Sequence, residues 1–320
     1  MKGLTDIPGI RVGHVSDFDA LTGCTVIVCE KGAVAGCDIR GSATGTEEFD
    51  LLSPMHLTGH IHGLVFAGGS AFGLEAVSGV RRYLEHRGVG FDTGYAKVPL
   101  VPGAILYDLG IGKSNIRPTR EMGAAAASSA TTNAVEEGCV GAGTGATVGK
   151  VLGMSHAMKG GVGTFTVDLQ GPYAAAKVSA LAVVNAVGDI LDPATGKIIA
   201  GARVSAASAE FINSATALKR GARAGFHTNT TLVAVATNAA LTKVQATKVA
   251  QMAQHGMVRA ISPVNTTGDG DLIVVLSAGT AQADINALGV AAAEAVAEAI
   301  VRAVRKARTL GGVPGLGQTI

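Results

Sequence analysis

The chain has 320 residues and a formal charge of +2; 48% of it is apolar, only 16% is charged, and 45 residues are glycine. Those values exclude a disordered chain, and without a basic stripe and interleaved aromatics they give no electrostatic case for nucleic acid. They describe one large domain, or two smaller ones, in which small residues let layers of structure approach closely.

In chain order, Ile10–Val15 and Thr25–Cys29 read as short β-strands, with Thr22-Gly23 as turn material between them. A polar loop, Gly41–Asp50, follows. Leu64–Ala67 is the strand of a strand-to-helix unit, Gly68-Gly69-Ser70 its turn, and Phe72, Leu74, Val77, Val80, Tyr83 and Leu84 recur at helical spacing. A glycine turn in that position can cradle an anion with its amides. GGSAFG lacks both the Walker lysine and the GxGxxG spacing, so tight strand–helix packing is the better account of its glycines. Val98–Tyr107 reads as a strand pair or a strand broken at Pro102-Gly103, and Glu121–Glu137 as an Ala-rich helix stopped by Gly138. Val140–Gly149 suits a strand crossed closely by other backbone, and it leads to Lys150. Val178–Leu191 contains a buried strand with Asn185 near its middle. Residues 195–228 form a looser, exposed connection. Leu232–Thr237 is a buried strand, Thr242–His255 a helix, Asn265–Asp271 a loop, Leu272–Leu276 a strand and Asp284–Arg308 a closing helix.

Cys24, Cys29, Cys37 and Cys139 form no CxxC pair and read as small buried residues in a reducing compartment. The N-terminus does not read as a signal peptide, and no stretch is apolar for about 18 residues. The expectation is a soluble, cytoplasmic protein with no membrane partner.

Four polar features stand against this apolar background: Lys150, Asn185, Asp269-Gly270-Asp271 and Thr230, all at strand ends or within strands. A sheet can gather them. If the Asn229–Thr230 bond were cut, Thr230 would carry a hydroxyl and a free α-amine, and the amine, with an ordinary pKa near ~8, could act as base for the hydroxyl. A lysine would favour deprotonation, two carboxylates could hold the cationic groups, and a fixed amide could donate to an oxyanion. Each residue also has a plainer account. Asn-Thr-Thr is ordinary turn chemistry, Lys150 could snorkel, Asn185 could be a satisfied buried amide, and Asp-Gly-Asp is a common turn. His56, His60 and His62 lack an acidic partner for a metal, and Ser70 lacks the partners of a serine triad. No metal or cofactor is expected.

Taken together, GLTDIPGIRVGHVSD, LVFAGGSAFGLEAVSGV, VPGAILYDLGIG, GAGTGATVGK, ALAVVNAVGDILD, NTTLVAVATNA and ISPVNTTGDGDLI resemble the self-processing L-aminopeptidase/D-Ala-esterase/amidase family. That family also contains β-peptidyl aminopeptidases and the nylon-oligomer endo-hydrolase. The resemblance implies an α+β fold, a four-layer αββα sandwich similar to N-terminal-nucleophile hydrolases but differently connected. It further implies self-cleavage between Asn229 and Thr230 into fragments 1–229 and 230–320, and assembly into a homo-oligomer, a tetramer of processed units. By the same resemblance Thr230 is the nucleophile, Asn185 the oxyanion amide, Lys150 the active-site lysine, Asp269 and Asp271 the supporting carboxylates, and Tyr107 a substrate-side tyrosine. The segment Gly103–Tyr107 has no counterpart of the glutamate that grips a substrate's free amine in the aminopeptidase branch. The implied substrate is a small peptide or amide. An acyltransferase of the ornithine-acetyltransferase kind and an uncleaved binding protein are the alternatives.

Overall fold

Both faces of the central strands are buried, which is why their sequences read as apolar runs with little polar alternation. The computed structural model describes residues 1–222 and 229–318; residues 223–228, the end of the expected connection, lie outside the described residues. The principal strands are β1 (Arg11–Asp17), β2 (Thr22–Ile39), β3 (Ile61–Ala67), β4 (Gly103–Ile105), β5 (Gly161–Asp168), β6 (Lys177–Asn185), β7 (Thr230–Ala239) and β8 (Leu272–Ala281). The principal helices are α1 (Glu75–His86), α2 (Arg120–Ser129), α3 (Lys243–Ala260) and α4 (Ile285–Lys306).

The strands follow the order β5-β6-β7-β8-β2-β3-β4, with β1 paired to β2. The β7–β8 and β3–β4 pairs are parallel and the other neighbours antiparallel. One strand serves both halves of this path. Cys24–Val28 of β2 pairs with β3, whereas Val34–Ile39 pairs with β8, and the register shifts between Val28 and Ala33, beside Gly32 at φ 83°. An irregularity of this kind bends a long strand and lets it pass from one sheet to another.

Side-chain alternation then sorts the core into three apolar layers. Ile27, Leu64 and Phe66 share one layer with Leu181, Val183, Leu232, Ala234, Leu272 and Val274, between the sheets. Val26, Val28, Val65 and Ala67 point the other way and pack with Ala76, Val77 and Val80 of α1 and Ala126 and Ala127 of α2. Val233, Val235, Ile273 and Val275 pack against Val249, Ala250 and Ala253 of α3 and Val296 and Ile300 of α4. The result is helices, sheet, sheet, helices: the αββα sandwich expected above. Caps fix the helices that cover β7 and β8. Thr242 and Gln245 form a capping box on α3, and the Asp284 carboxylate accepts from the amides of Asn286 and Ala287 on α4; a cap of this type stabilises by about 1 kcal/mol.

Several boundaries differ from the sequence expectation. The β1–β2 turn falls at residues 18–21, not at Thr22-Gly23, because Asp17 accepts from the amides of Asp19 and Ala20 and Leu21 takes a positive φ. The helix expected to reach Glu137 ends at Ser129, where Thr131 exchanges both backbone hydrogen bonds with Val12 and continues the edge of β1. Residues 140–149 form a tight turn followed by the short strand Thr147–Val148, not one long strand. The close crossing expected there is present: a Cβ on Gly149 (φ 69°) would lie 2.1 Å from the Gly201 carbonyl carbon. Asn185 sits at the end of β6 rather than its middle. Among the described residues, no helix is long and apolar enough to cross a membrane.

Candidate active site

Strand direction explains why one edge of the sheet collects polar groups. β7 and β8 run parallel, so their first residues lie at the same edge, and the antiparallel β6 ends there. Asn185 is therefore directly opposite Thr230, and Asn229 bridges to Asp269 three residues ahead of the first ladder pair, Leu232–Leu272. The expected residues Asn229, Thr230, Asn185, Asp269 and Asp271 all meet here, and all are buried.

At Thr230 the side-chain hydroxyl donates to the carbonyl oxygen of Asn229 at 2.5 Å. The same oxygen accepts the Gly270 amide at 2.9 Å. Asp271 spans the next positions, with Oδ1 accepting from the Thr231 amide at 2.5 Å and Oδ2 from the Asn265 amide at 2.9 Å. Asp269 uses Oδ2 for the Thr266 amide and hydroxyl, at 2.8 and 2.6 Å. Its Oδ1 is buried without a partner, as are Asn229 Oδ1 and Thr231 Oγ1. Unpaired polar atoms are rare in protein interiors and concentrate where chemistry or ligands are accommodated.

Lys150 sits at the end of β6. Its backbone is tied to Val187, and its Nζ donates to both the backbone carbonyl and the side-chain Oδ1 of Asn185, each at 2.9 Å. Asn185 Oδ1 also accepts the Thr147 amide at 3.0 Å, while Nδ2 donates to the backbone carbonyl of Tyr107 at 3.0 Å. The carboxamide is thereby oriented, with oxygen toward Lys150 and Thr147 and nitrogen toward Tyr107. Tyr107 joins this network through its main chain; its side chain is half-buried.

Burial controls the charges. It lowers the Lys150 pKa to about 7, against the opposing pull of Asp269 and Asp271. Burial also raises Asp271 to about 7, aided by the neighbouring charge of Asp269, and raises Asp269 itself. Near neutral pH the cluster can thus hold or release a proton at little cost, which is the condition a general acid or base needs.

Two residues behind the site had no assigned role from sequence. Asp108 is buried, and its carboxyl, shifted upward by burial, accepts the Gly69 amide at 2.6 Å and the Thr22 hydroxyl at 2.7 Å. The glycine turn therefore holds an acid of the same chain through its Gly69 amide, and this contact fixes the segment carrying the Tyr107 carbonyl. Lys159, also buried, donates to the carbonyls of Thr144 and Ala146 at 2.8 and 2.7 Å and so holds the turn that presents the Thr147 amide. The acid in AILYDLG was the one available signal for Asp108; nothing local in sequence singles out Lys159. His56, His60 and His62 do not converge on a site: among the described residues no group of three or more His, Cys, Asp or Glu is placed to hold a metal.

The sequence profile of peptidase family S58 matches residues 2–317. A protein from Mycobacterium tuberculosis, named an uncharacterized aminopeptidase, is 37% identical over 346 aligned residues, covering 98% of this chain and 96% of its own. The 6-aminohexanoate-oligomer endohydrolase of Kocuria sp. is 29% identical over 328 residues, covering 94% of this chain and 85% of its own. Two solved structures share the fold. The β-aminopeptidase of Burkholderia sp. matches with a TM-score of 0.71 at 24% identity, over 99% of this chain and 91% of its own. The L-aminopeptidase D-Ala-esterase/amidase of Ochrobactrum anthropi, described as a variant of the Ntn-hydrolase fold, matches with a TM-score of 0.73 at 18% identity, over 98% and 88%.

Proposed function

The chain belongs to peptidase family S58, and from that membership we propose that it hydrolyses amide or peptide bonds with a threonine exposed by its own cleavage between Asn229 and Thr230. The observation that carries this proposal is the Thr230 hydroxyl, seated on the carbonyl of the residue before it at a sheet edge where Asn185, Asp269, Asp271 and Lys150 are also buried. A simple strand residue has no need of three buried ionisable groups beside it, since each is costly to bury.

In self-cleavage the Thr230 hydroxyl adds to the Asn229 carbonyl carbon, the C–N bond breaks, and water hydrolyses the resulting ester. The new α-amine then serves as the base of turnover. Thr230 Oγ1 attacks the substrate carbonyl, the amine relays the proton to the leaving nitrogen, and water resolves the acyl-enzyme. Asn185 Nδ2 is the donor to the substrate oxyanion, with Tyr107 beside it; Lys150, Asp269 and Asp271 set charge and geometry. This chemistry uses only groups of the chain and water. Relatives named aminopeptidase and 6-aminohexanoate-oligomer endohydrolase support a small amide or peptide as substrate. The four unpaired cysteines suit a cytoplasmic setting, and exposed Met55, Leu57 and Tyr95 offer apolar surface for a homo-oligomer, a tetramer of processed units by family resemblance.

The deciding assay is release of amine from aminoacyl amides and from short ω-amino-acid oligomers, with and without an added amine acceptor. Hydrolysis that the acceptor leaves unchanged supports the proposal. Turnover that requires the acceptor would instead identify an acyltransferase, and no turnover by an undivided chain a binding protein. Within this mechanism Asn185→Asp keeps the acceptor for Thr147 and Lys150 but loses the Nδ2 donor. Its kcat is expected to fall about 10³-fold with little change in KM, the signature of a transition-state interaction.

A further inference from the structure

The Asn229 carbonyl is polarised by a group that the turnover mechanism does not use. Its oxygen accepts the Gly270 amide at 2.9 Å as well as the Thr230 hydroxyl. The donor is fixed by strand pairing: Asn229 and Asp269 form an isolated parallel bridge in the register of the β7–β8 ladder, three residues ahead of its first pair, and this aims the next amide at this oxygen. Gly270 is also closely confined. A Cβ there would stand 2.8 Å from Thr230 Oγ1, 3.0 Å from the Ala43 carbonyl oxygen and 3.3 Å from Thr230 Cγ2. The φ of Gly270 is not in the left-handed region, so the demand for glycine is spatial and not conformational.

We propose that the Gly270 backbone N–H is the oxyanion donor of self-cleavage, distinct from the Asn185 amide that serves turnover, and that glycine is required at 270 because the nucleophile occupies the place of a side chain. The proposal rests on the self-cleavage reading above. In the step concerned, the Oγ1–C bond forms at Asn229, and the carbonyl π electrons move onto its oxygen, where the Gly270 N–H meets the growing charge. Collapse breaks the C–N bond, and the hydroxyl proton ends on the Thr230 nitrogen. Water then attacks the ester, leaving a carboxylate at Asn229 and restoring the Thr230 hydroxyl. Asn185 approaches from β6, on the opposite side of β7 from β8, so the two donors serve carbonyls held on different sides of the nucleophile.

The test replaces Gly270 by glycolic acid in the full chain, using a misacylated suppressor tRNA. In the resulting backbone ester an oxygen replaces the N–H, and the Asp269 carbonyl becomes a weaker acceptor for the Ala43 amide. Fragment appearance is followed by mass spectrometry, with folding checked by circular dichroism. Self-cleavage is expected to slow roughly 10²- to 10³-fold, the usual effect of losing one oxyanion donor. The portion that does cleave should hydrolyse substrate within about threefold of wild type, a separation that general loosening of the site would not produce. Cleavage at the wild-type rate would overturn the donor role, and an equal loss in turnover would overturn its separateness. Gly270→Ala, which keeps the N–H, supplies a second arm: it too should cleave slowly, and an unchanged rate would overturn the demand for glycine. A wild-type chain that never divides would sink the self-cleavage reading itself, and this proposal with it.

Discussion

Thr230→Ala is expected to leave a single chain of 31.9 kDa where the wild type yields two fragments of roughly 23 and 9 kDa, in proportion to chain length. The same substitution should lower amide hydrolysis by on the order of 10⁶-fold, the scale seen when a nucleophile is removed. Both losses trace to one atom. Thr230 Oγ1 lies on the carbonyl of Asn229 in the undivided chain, and in the proposed mechanism it is the group that attacks substrate after division. The fold should survive the change, because Thr230 begins β7 without forming its centre, and its side chain contributes one hydrogen bond to the carbonyl before it. Thr230→Ser keeps the hydroxyl and should divide, more slowly, since serine lacks the methyl that restricts the threonine rotamer. Intact mass and N-terminal sequencing of the three proteins read the outcome directly. An alanine variant that still divides at this bond would exclude Thr230 as nucleophile.

Lys150→Met should abolish self-cleavage on the timescale of hours, a loss of about 10²- to 10⁴-fold if the lysine acts as general base. In the undivided chain the Thr230 nitrogen is an amide and cannot accept the hydroxyl proton, so another group must. Lys150 is held against Asn185, directly opposite Thr230, and burial lowers its pKa to about 7. The sign follows from the neutral form being the base. Below pH 7 the wild-type rate should rise about tenfold per pH unit, and above it the rate should level. Asp271 titrates in the same window, so the limb belongs to the cluster and not to one residue. Asp269 and Asp271 favour the protonated lysine, hence Asp269→Asn should move the limb to lower pH while lowering the plateau. A rate independent of pH between about 5 and 9, or a limb moved upward, would remove Lys150 from this role.

The parts of this molecule that depend on short-range pattern were legible in the sequence. Leu232–Thr237 and Leu272–Leu276 are β-rich apolar runs, and both are strands, extended in the structure to Ala239 and Ala281. Thr242 and Asp284 cap the helices that cover them. Boundaries set by tertiary pairing were not legible. The helix beginning at Arg120 stops at Ser129 because Val12, more than a hundred residues earlier, claims the backbone of Thr131. The sequence nominated the site's polar residues because polar groups are conspicuous in apolar runs. It gave no hint of the main-chain contributors: the Gly270 amide, the Tyr107 carbonyl and the Thr147 amide become visible only when strands are placed in register. Lys159 escaped notice for the same reason, since its partners are the carbonyls of a turn.

The position of β7 and β8 in the sheet bears on how long the divided protein lasts. Together they would belong to the smaller fragment, yet β6 flanks β7 on one side and β2 flanks β8 on the other, both from the larger one. A fragment 230–320 would thus be interleaved, and its leaving would break two ladders and expose two apolar layers. An undivided chain that unfolds can refold by itself at any dilution. A divided one must first find its other half, so renaturation becomes second order in concentration and competes with aggregation. For a protein divided in this way, persistence would be a matter of the unfolding barrier more than of an equilibrium constant, and each molecule would have one opportunity to fold before it is cut.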